Sequence, residues 1–191
     1  MKKSVLLSTL FVLAASTAYA ADDISKYKEE SVAVIGPFAK QLGEANQKAV
    51  KEGGPASAIV VCKDIAPAMA GEISRNKGWK LTRVSLKVRN PLLGTPDAWE
   101  QKTLQEFEAR YAKGEKPDTI TAAEIVDEPA GKSFRFMKAV ALQQGCLGCH
   151  GSSDEIKPEV KASLAKDYPN DKATGYTVGQ IRGAVSIKRP L

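Results

Sequence analysis

The chain reads as an α+β protein, with helices first and an antiparallel sheet after them. Two observations predict this. Between residues 22 and 52 the apolar positions Ile24, Tyr27, Val32, Ile35, Phe38, Leu42, Ala45 and Ala49 recur mostly at three- and four-residue steps, with polar residues between them. That is the pattern of a long helix with one buried face. From residue 80 onward several stretches switch to a two-residue alternation, the period of a half-buried strand.

The elements follow in order. Gly36-Pro37 is expected to kink or split the N-terminal helix, because proline removes a hydrogen bond and crowds the preceding turn. Gly53-Gly54-Pro55 is expected to end it. Two short helices are predicted over 56–63 and 66–77, with Pro67 in the first turn of the second and Gly78 at its end. Cys62 falls near their join. In 80–89, Thr82, Val84, Leu86 and Val88 alternate with Arg83, Ser85, Lys87 and Arg89, which predicts a strand that Asn90-Pro91 breaks. Thr95 as cap and Pro96 as first residue predict a helix over 96–112, stopped by Gly114. Asp97 and Glu100 then read as first-turn helix charges. Strands are predicted over 120–127 and 132–142, with a turn at Glu128–Gly131 and with Phe134, Phe136, Val140 and Leu142 sharing one parity. A short helix over 155–166, starting near Pro158, and a final strand over 180–188, with Ile181, Val185 and Ile187 on one face, complete the order.

Residues 1–20 carry Lys2 and Lys3, an apolar stretch from Val5 to Ala15, and the small-x-small site Ala18-Tyr19-Ala20. This is the form of a secretory signal peptide, cleaved near Ala20. The stretch is too short for a membrane span of about 20 residues. Cleavage would take 20 of the 191 residues and leave one domain over 21–191. It would also reduce Lys plus Arg from 28 to 26 against 22 Asp plus Glu, a net charge of +4. That mild excess favours an acidic partner by steering. No basic stripe with interleaved aromatics argues for nucleic acid, and no second apolar segment argues for stable membrane insertion. The heptad-like pattern of the N-terminal helix admits a homodimer contact.

The most informative run is Cys146-Leu147-Gly148-Cys149-His150, which holds the only histidine of the chain. C-x-x-C-H is the attachment signature of c-type haem. Two thiols three positions apart add across the porphyrin vinyl groups, and the adjacent imidazole reaches the iron. Haem of this kind is attached on the exported side of a bacterial membrane, so the leader and the motif agree. A zinc site and a Cys146–Cys149 disulfide are the rival readings. Zinc ligands usually come in pairs separated by two to four residues, which the adjacent Cys149 and His150 do not match. The oxidising compartment keeps the disulfide in play. With His150 assigned to iron, no Ser-His-Asp set is available and no catalytic constellation stands beside the haem.

A third cysteine, Cys62, is left over. It reads either as a small buried hydrophobe or as the distal iron ligand, deprotonated by the metal. Met69, Met137, a lysine or an open position compete for that role. The stretches AIVVCKDIAPAMAGEI, RVSLKVRNPLLGTPDAWE, CLGCHG and GYTVGQIRGAVSIKRPL, in that order, resemble a bacterial family of exported c-type haem domains. The likeness runs over residues 22–191. Its more discriminating parts are the Cys-x-x-x-Ala-Pro segment at Cys62–Pro67 and the Arg-Asn-Pro turn at Arg89–Pro91. The resemblance implies a PAS-like antiparallel sheet with flanking helices and a long N-terminal helix. It also implies Cys62 as the iron ligand opposite His150.

Around such a haem, Ile65 and Pro67 are expected as distal wall, and Tyr168 and Tyr176 as porphyrin packing. Arg83, Lys87 or Arg89 is expected as a propionate partner through charge-assisted hydrogen bonds. The function expected is periplasmic one-electron transfer by a single covalent haem c with His/Cys ligation, working with a separate redox protein. The alternative is a stand-alone haem-based redox or gas sensor acting through a separate signalling partner, since the sequence also resembles haem sensor domains that precede signalling modules.

Overall fold

A computed structural model describes residues 12–191. Residues 1–11, which hold most of the expected leader, lie outside the described residues. The first element is α1 (Val12–Val60), interrupted at Gly54, where φ 77° and ψ 178° leave the helical region. The expected stop is therefore a one-residue break, and Pro55 restarts the helix. Gly54 can take this conformation because it has no Cβ. Of the kink or split expected at Gly36-Pro37, the split does not occur, and the chain stays helical through Pro37. Ile35 and Phe38, on either side, are buried in the main core and hold the turn against the missing hydrogen bond.

A π turn (Val61–Ile65) leads directly into α2 (Ala66–Lys77), which ends at left-handed Gly78. Strand β1 covers only Lys80–Val84 rather than 80–89. At Ser85 the chain turns away, because Gly94 at the end of α3 (Pro91–Gly94) takes the Ser85 amide at 3.2 Å. Helix α4 (Ala98–Ala112) is capped by Asp97 in a capping box with Glu100, not by Thr95. Thr95 instead closes α3, its hydroxyl donating to the Pro91 carbonyl. Asp97 and Glu100 do serve as first-turn charges, and both also face the buried Arg135.

Strands β2 (Thr121–Glu128) and β3 (Gly131–Ala141) form the expected hairpin. A one-turn helix α5 (Leu147–His150), helix α6 (Pro158–Asp167) and strand β4 (Ile181–Pro190) complete the chain. The sheet is fully antiparallel in the order β1-β4-β3-β2. The last strand is inserted between the first and third, with Leu81 and Phe136 both opposite Ile187.

Both faces of the sheet are covered. Phe134, Phe136, Val185 and Ile187 pack with Leu81 against Ile35 and Phe38 of α1 and Ala70 of α2. On the other face Met137, Ala139 and Ala184 pack with Val84 against Leu104 and Phe107 of α4. Burying each of these large side chains contributes about 1.5–3 kcal/mol. The layout is the long-helix, flanked antiparallel sheet expected above.

Gly183 fixes how closely β4 and the end of β1 approach. Its φ is 156°, and a Cβ there would lie 2.2 Å from the Val84 carbonyl oxygen. Gly183→Ala is expected to cost about 1–3 kcal/mol through overpacking, read as a lower urea midpoint at unchanged slope. An unchanged midpoint would show that the contact is not tight.

Candidate functional site: a cavity between Cys62 and His150

A cavity of about 320 Å³ opens between α2, β1, the 88–94 segment, α5 and β4. Its walls are mainly apolar, and Cys62 and His150 both line it. A thiol residue and an imidazole residue from distant parts of the chain thus line one space.

Cys62 is held there by the π turn. The Ala66 amide reaches back five residues to the Val61 carbonyl, the bond that defines such a turn. The next bond of that pattern would run from residue 67 to the Cys62 carbonyl, but Pro67 has no N–H. Arg83 of β1 answers the carbonyl instead, its Nη2 donating at 3.3 Å. The spacing Cys62…Ala66-Pro67 therefore has a local meaning. Proline frees a carbonyl, and the sheet anchors the turn through it. Pro67, five residues from Cys62, lines the cavity beside it. Ile65 does not. It lies most of a turn further round, on the outer face, and is 41% exposed, which corrects the expectation that it forms distal wall. The Cys62 sulfur has one side-chain neighbour of note, the Asn46 amide at 3.9 Å.

The methionines are elsewhere. Met137 is fully buried against α4, and Met69 packs on the main core. Neither lines the cavity, and among the described residues no lysine does. Of the distal candidates in the sequence, Cys62 alone stands in its wall.

His150 ends the one-turn helix α5. Its Nδ1 lies 2.7 Å from the Ala173 carbonyl oxygen and 3.2 Å from Arg182 Nε. A carbonyl cannot donate, so the shorter contact requires Nδ1–H, and the arginine contact is then not a hydrogen bond. This tautomer leaves the Nε2 lone pair free, the form in which histidine binds metals. Burial, with the nearby Arg89 and Arg182 guanidinium charges, lowers the His150 pKa to about 3. The ring is neutral at any ordinary pH.

Cys146 and Cys149 flank this histidine but stand outside the cavity wall. Cys146 packs against Leu142, Ala173 and Tyr176. Cys149 packs on the Ile59–Val160 cluster, with its sulfur 3.8 Å from the Pro55 carbonyl. Burial pushes the Cys149 thiol pKa up. All three thiols are free.

The basic residues divide by partner. Arg89 lines the cavity as expected, but it is paired with Asp171 at 2.9 Å and donates to the Cys149 carbonyl at 2.6 Å. Its Nε and Nη2 are therefore engaged by the protein, and no partner of Nη1 is found among the described residues. Lys87 is committed to the Thr174 carbonyl and the face of Tyr176. Arg83 and Arg182 also line the cavity, and among the described residues neither is in an ion pair with a carboxylate. Arg182 donates to the Ser85 hydroxyl at 2.7 Å and to the Lys87 carbonyl, and burial lowers its pKa. Tyr168 lines the cavity too, and burial pushes its phenol up to about 12. Tyr176 meets the His150 ring edge-on at 6.4 Å.

Arg182, Asp171 and Ala173 were missed from sequence. The Arg182-Gly183 pair carried a signal, since glycine inside a strand marks close approach. The Asp171–Ala173 segment carried none and reads as an ordinary polar loop.

Fold and site define an α+β sheet protein whose cavity sets one imidazole against one thiol. The chain belongs to the Tll0287-like family, matched over residues 8–190. Its fold is similar to that of a solved cyanobacterial haem protein, Tll0287, with a TM-score of 0.62 and 24% identity over 84% of this chain and 95% of that one. No curated protein matches the chain. Among the described residues no helix is long and apolar enough to cross a membrane.

With one histidine, the titration is unambiguous. In the cofactor-free chain the ring-nitrogen NMR shifts of His150 are expected to stay those of the neutral Nδ1–H form from pH 8 to pH 4. Because the folded pKa lies below the ordinary histidine value of 6.5, stability from this group is present above 6.5 and declines as pH falls toward about 3. A midpoint near 6.5 would mean that the ring is solvated.

Proposed function

We propose that this chain is an exported c-type haem protein. It carries one covalent haem on Cys146 and Cys149, with His150 and Cys62 as axial ligands, and performs one-electron chemistry with a separate periplasmic partner. The observation that carries the reading is that Cys62 and the neutral His150 line the same apolar-walled cavity. Membership of the Tll0287-like family and the fold likeness to a protein described as a haem protein support it.

The residues fit the group. A neutral imidazole with its Nδ1 proton already engaged offers Nε2 to a metal. A thiol in the same cavity offers sulfur. Cys146 and Cys149 are three residues apart at the one-turn helix that ends in His150, the spacing that two thioether bonds to one porphyrin require. Arg83 and Arg182 supply cationic charge that has no carboxylate partner among the described residues, and a ligand bearing carboxylates offers that partner through charge-assisted hydrogen bonds. An unpaired buried charge is costly, so this complementarity stabilises the complex. The iron porphyrin supplies one-electron chemistry, at a potential that an anionic sulfur ligand sets low.

The chain's own contribution is orientation and exclusion of water. Tyr168, protonated at all working pH, and Pro67 close the wall. The basic leader followed by an apolar stretch and Ala18-Tyr19-Ala20 supports export to the periplasm. The net positive charge supports an acidic partner.

Expression in a host that matures c-type cytochromes is expected to give a Soret band and haem mass that survives denaturation. Low-spin ferric thiolate EPR signals are expected to vanish in Cys62→Ala. The midpoint of that variant should rise by on the order of 0.1 V, a fraction of the span of about 0.8 V that axial ligands cover. Haem mass lost on denaturation would overturn the covalent attachment, and spectra unchanged in Cys62→Ala would overturn the distal assignment. Rapid carbon monoxide binding on reduction would favour the sensor reading over electron transfer.

A further inference from the structure

We infer that Asp171, together with Arg89, is the positioning device of the iron-binding histidine, fixing the His150 ring orientation and tautomer through the Ala173 peptide. This rests on the haem reading above. The Asp171 side chain is 11% exposed and the Arg89 side chain 9%, so the pair is buried beside the site. Asp171 Oδ1 accepts the Ala173 amide at 2.7 Å, and Oδ2 accepts Arg89 Nε at 3.0 Å. At the other end of the same residue, the Ala173 carbonyl accepts His150 Nδ1–H at 2.7 Å and Arg89 Nη2 at 3.3 Å. Residue 173 is clamped at both ends, and its side chain is fully buried. It has no freedom to turn its carbonyl away.

The clamp also splints the turn that carries the histidine. The last carbonyls of α5 lack helical partners, as at any helix end. Those of Cys149 and His150, and that of Gly151 just beyond, are answered from Arg89 or from the segment after Asp171. Cys149 takes Arg89 Nη2 at 2.6 Å, His150 takes the Tyr176 amide at 3.0 Å, and Gly151 takes the Gly175 amide at 2.7 Å. Asp171 thus neutralises the arginine nearest the C-x-x-C-H turn and aligns the acceptor that fixes its imidazole. Outer partners of this kind orient metal-binding histidines and tune the metal.

A buried cation left unpaired near the iron favours the state with less positive charge, which is the reduced one. Asp171→Asn keeps an oxygen acceptor for the Ala173 amide but removes the charge. At a fixed ambient potential it is expected to raise the reduced-to-oxidised ratio at least tenfold, about 59 mV for one electron. Arg89→Lys keeps the charge but loses the planar fork that serves three acceptors. It is expected to alter the ferric EPR g-values with a smaller change in that ratio. Both are measured on haem-loaded protein beside wild type, with thermal unfolding as control. Lower stability with unchanged ratio and g-values in both variants would reduce the clamp to a purely structural contact and overturn the inference. If wild type carries no haem, the haem reading fails, and the clamp is judged by ring-nitrogen NMR of His150. A single Nδ1–H tautomer that becomes mixed in Asp171→Ala supports it, and a tautomer unchanged in that variant overturns it.

Discussion

The insertion of β4 between β1 and β3 is the constraint on which the rest depends. It brings Arg182 and Gly183 beside the end of β1, so that residues separated by most of the chain form one wall. Without that pairing, Arg83 would have no fixed height from which to reach the Cys62 carbonyl, and Ser85 would not meet Arg182. Gly183 makes the approach possible by having no side chain where the Val84 carbonyl already sits. The sheet is covered on both faces, so this geometry is backed by packing rather than by the strand hydrogen bonds alone.

On that frame the two side chains proposed as ligands are held in different ways. Cys62 sits on an irregular turn whose freed carbonyl is tied to a strand. His150 sits at the end of a single helical turn that has almost no stability of its own, and its backbone is answered by Arg89 and the segment following Asp171. In both cases a guanidinium from β1 or just beyond it, Arg83 or Arg89, donates to a carbonyl. The cavity is thus ringed by cations, of which only Arg89 has a carboxylate partner among the described residues. That imbalance makes an anionic group the natural occupant.

Much of the fold was legible in the sequence because period and punctuation agreed. Gly78, the Glu128–Gly131 turn and Pro158 marked real boundaries, and Phe134 and Phe136 did share the face packed on α1. The errors have local causes. Pro37 was overridden by burial of Ile35 and Phe38. The strand from Lys80 was read too long because the alternation continues past Ser85, where a backbone contact from Gly94 ends it. Parity understated the core of β3, since Met137 and Ala139 are buried on the opposite face. In the site, spacing singled out His150 and the family resemblance singled out Cys62, and the structure places both in one cavity wall. The π turn was not legible, because its register depends on an arginine 21 residues later. Nor was the clamp on Ala173, because its chemistry is carried by a backbone carbonyl, which no sequence pattern marks.

The central claim is that His150 and Cys62 grip one iron from opposite sides. Iron-edge X-ray absorption of the oxidised protein tests it most directly. The account predicts a shell of five nitrogens and one sulfur around the metal, the sulfur coming from the chain. A shell of nitrogen or oxygen alone, or an iron with five near neighbours and no sulfur, would contradict it.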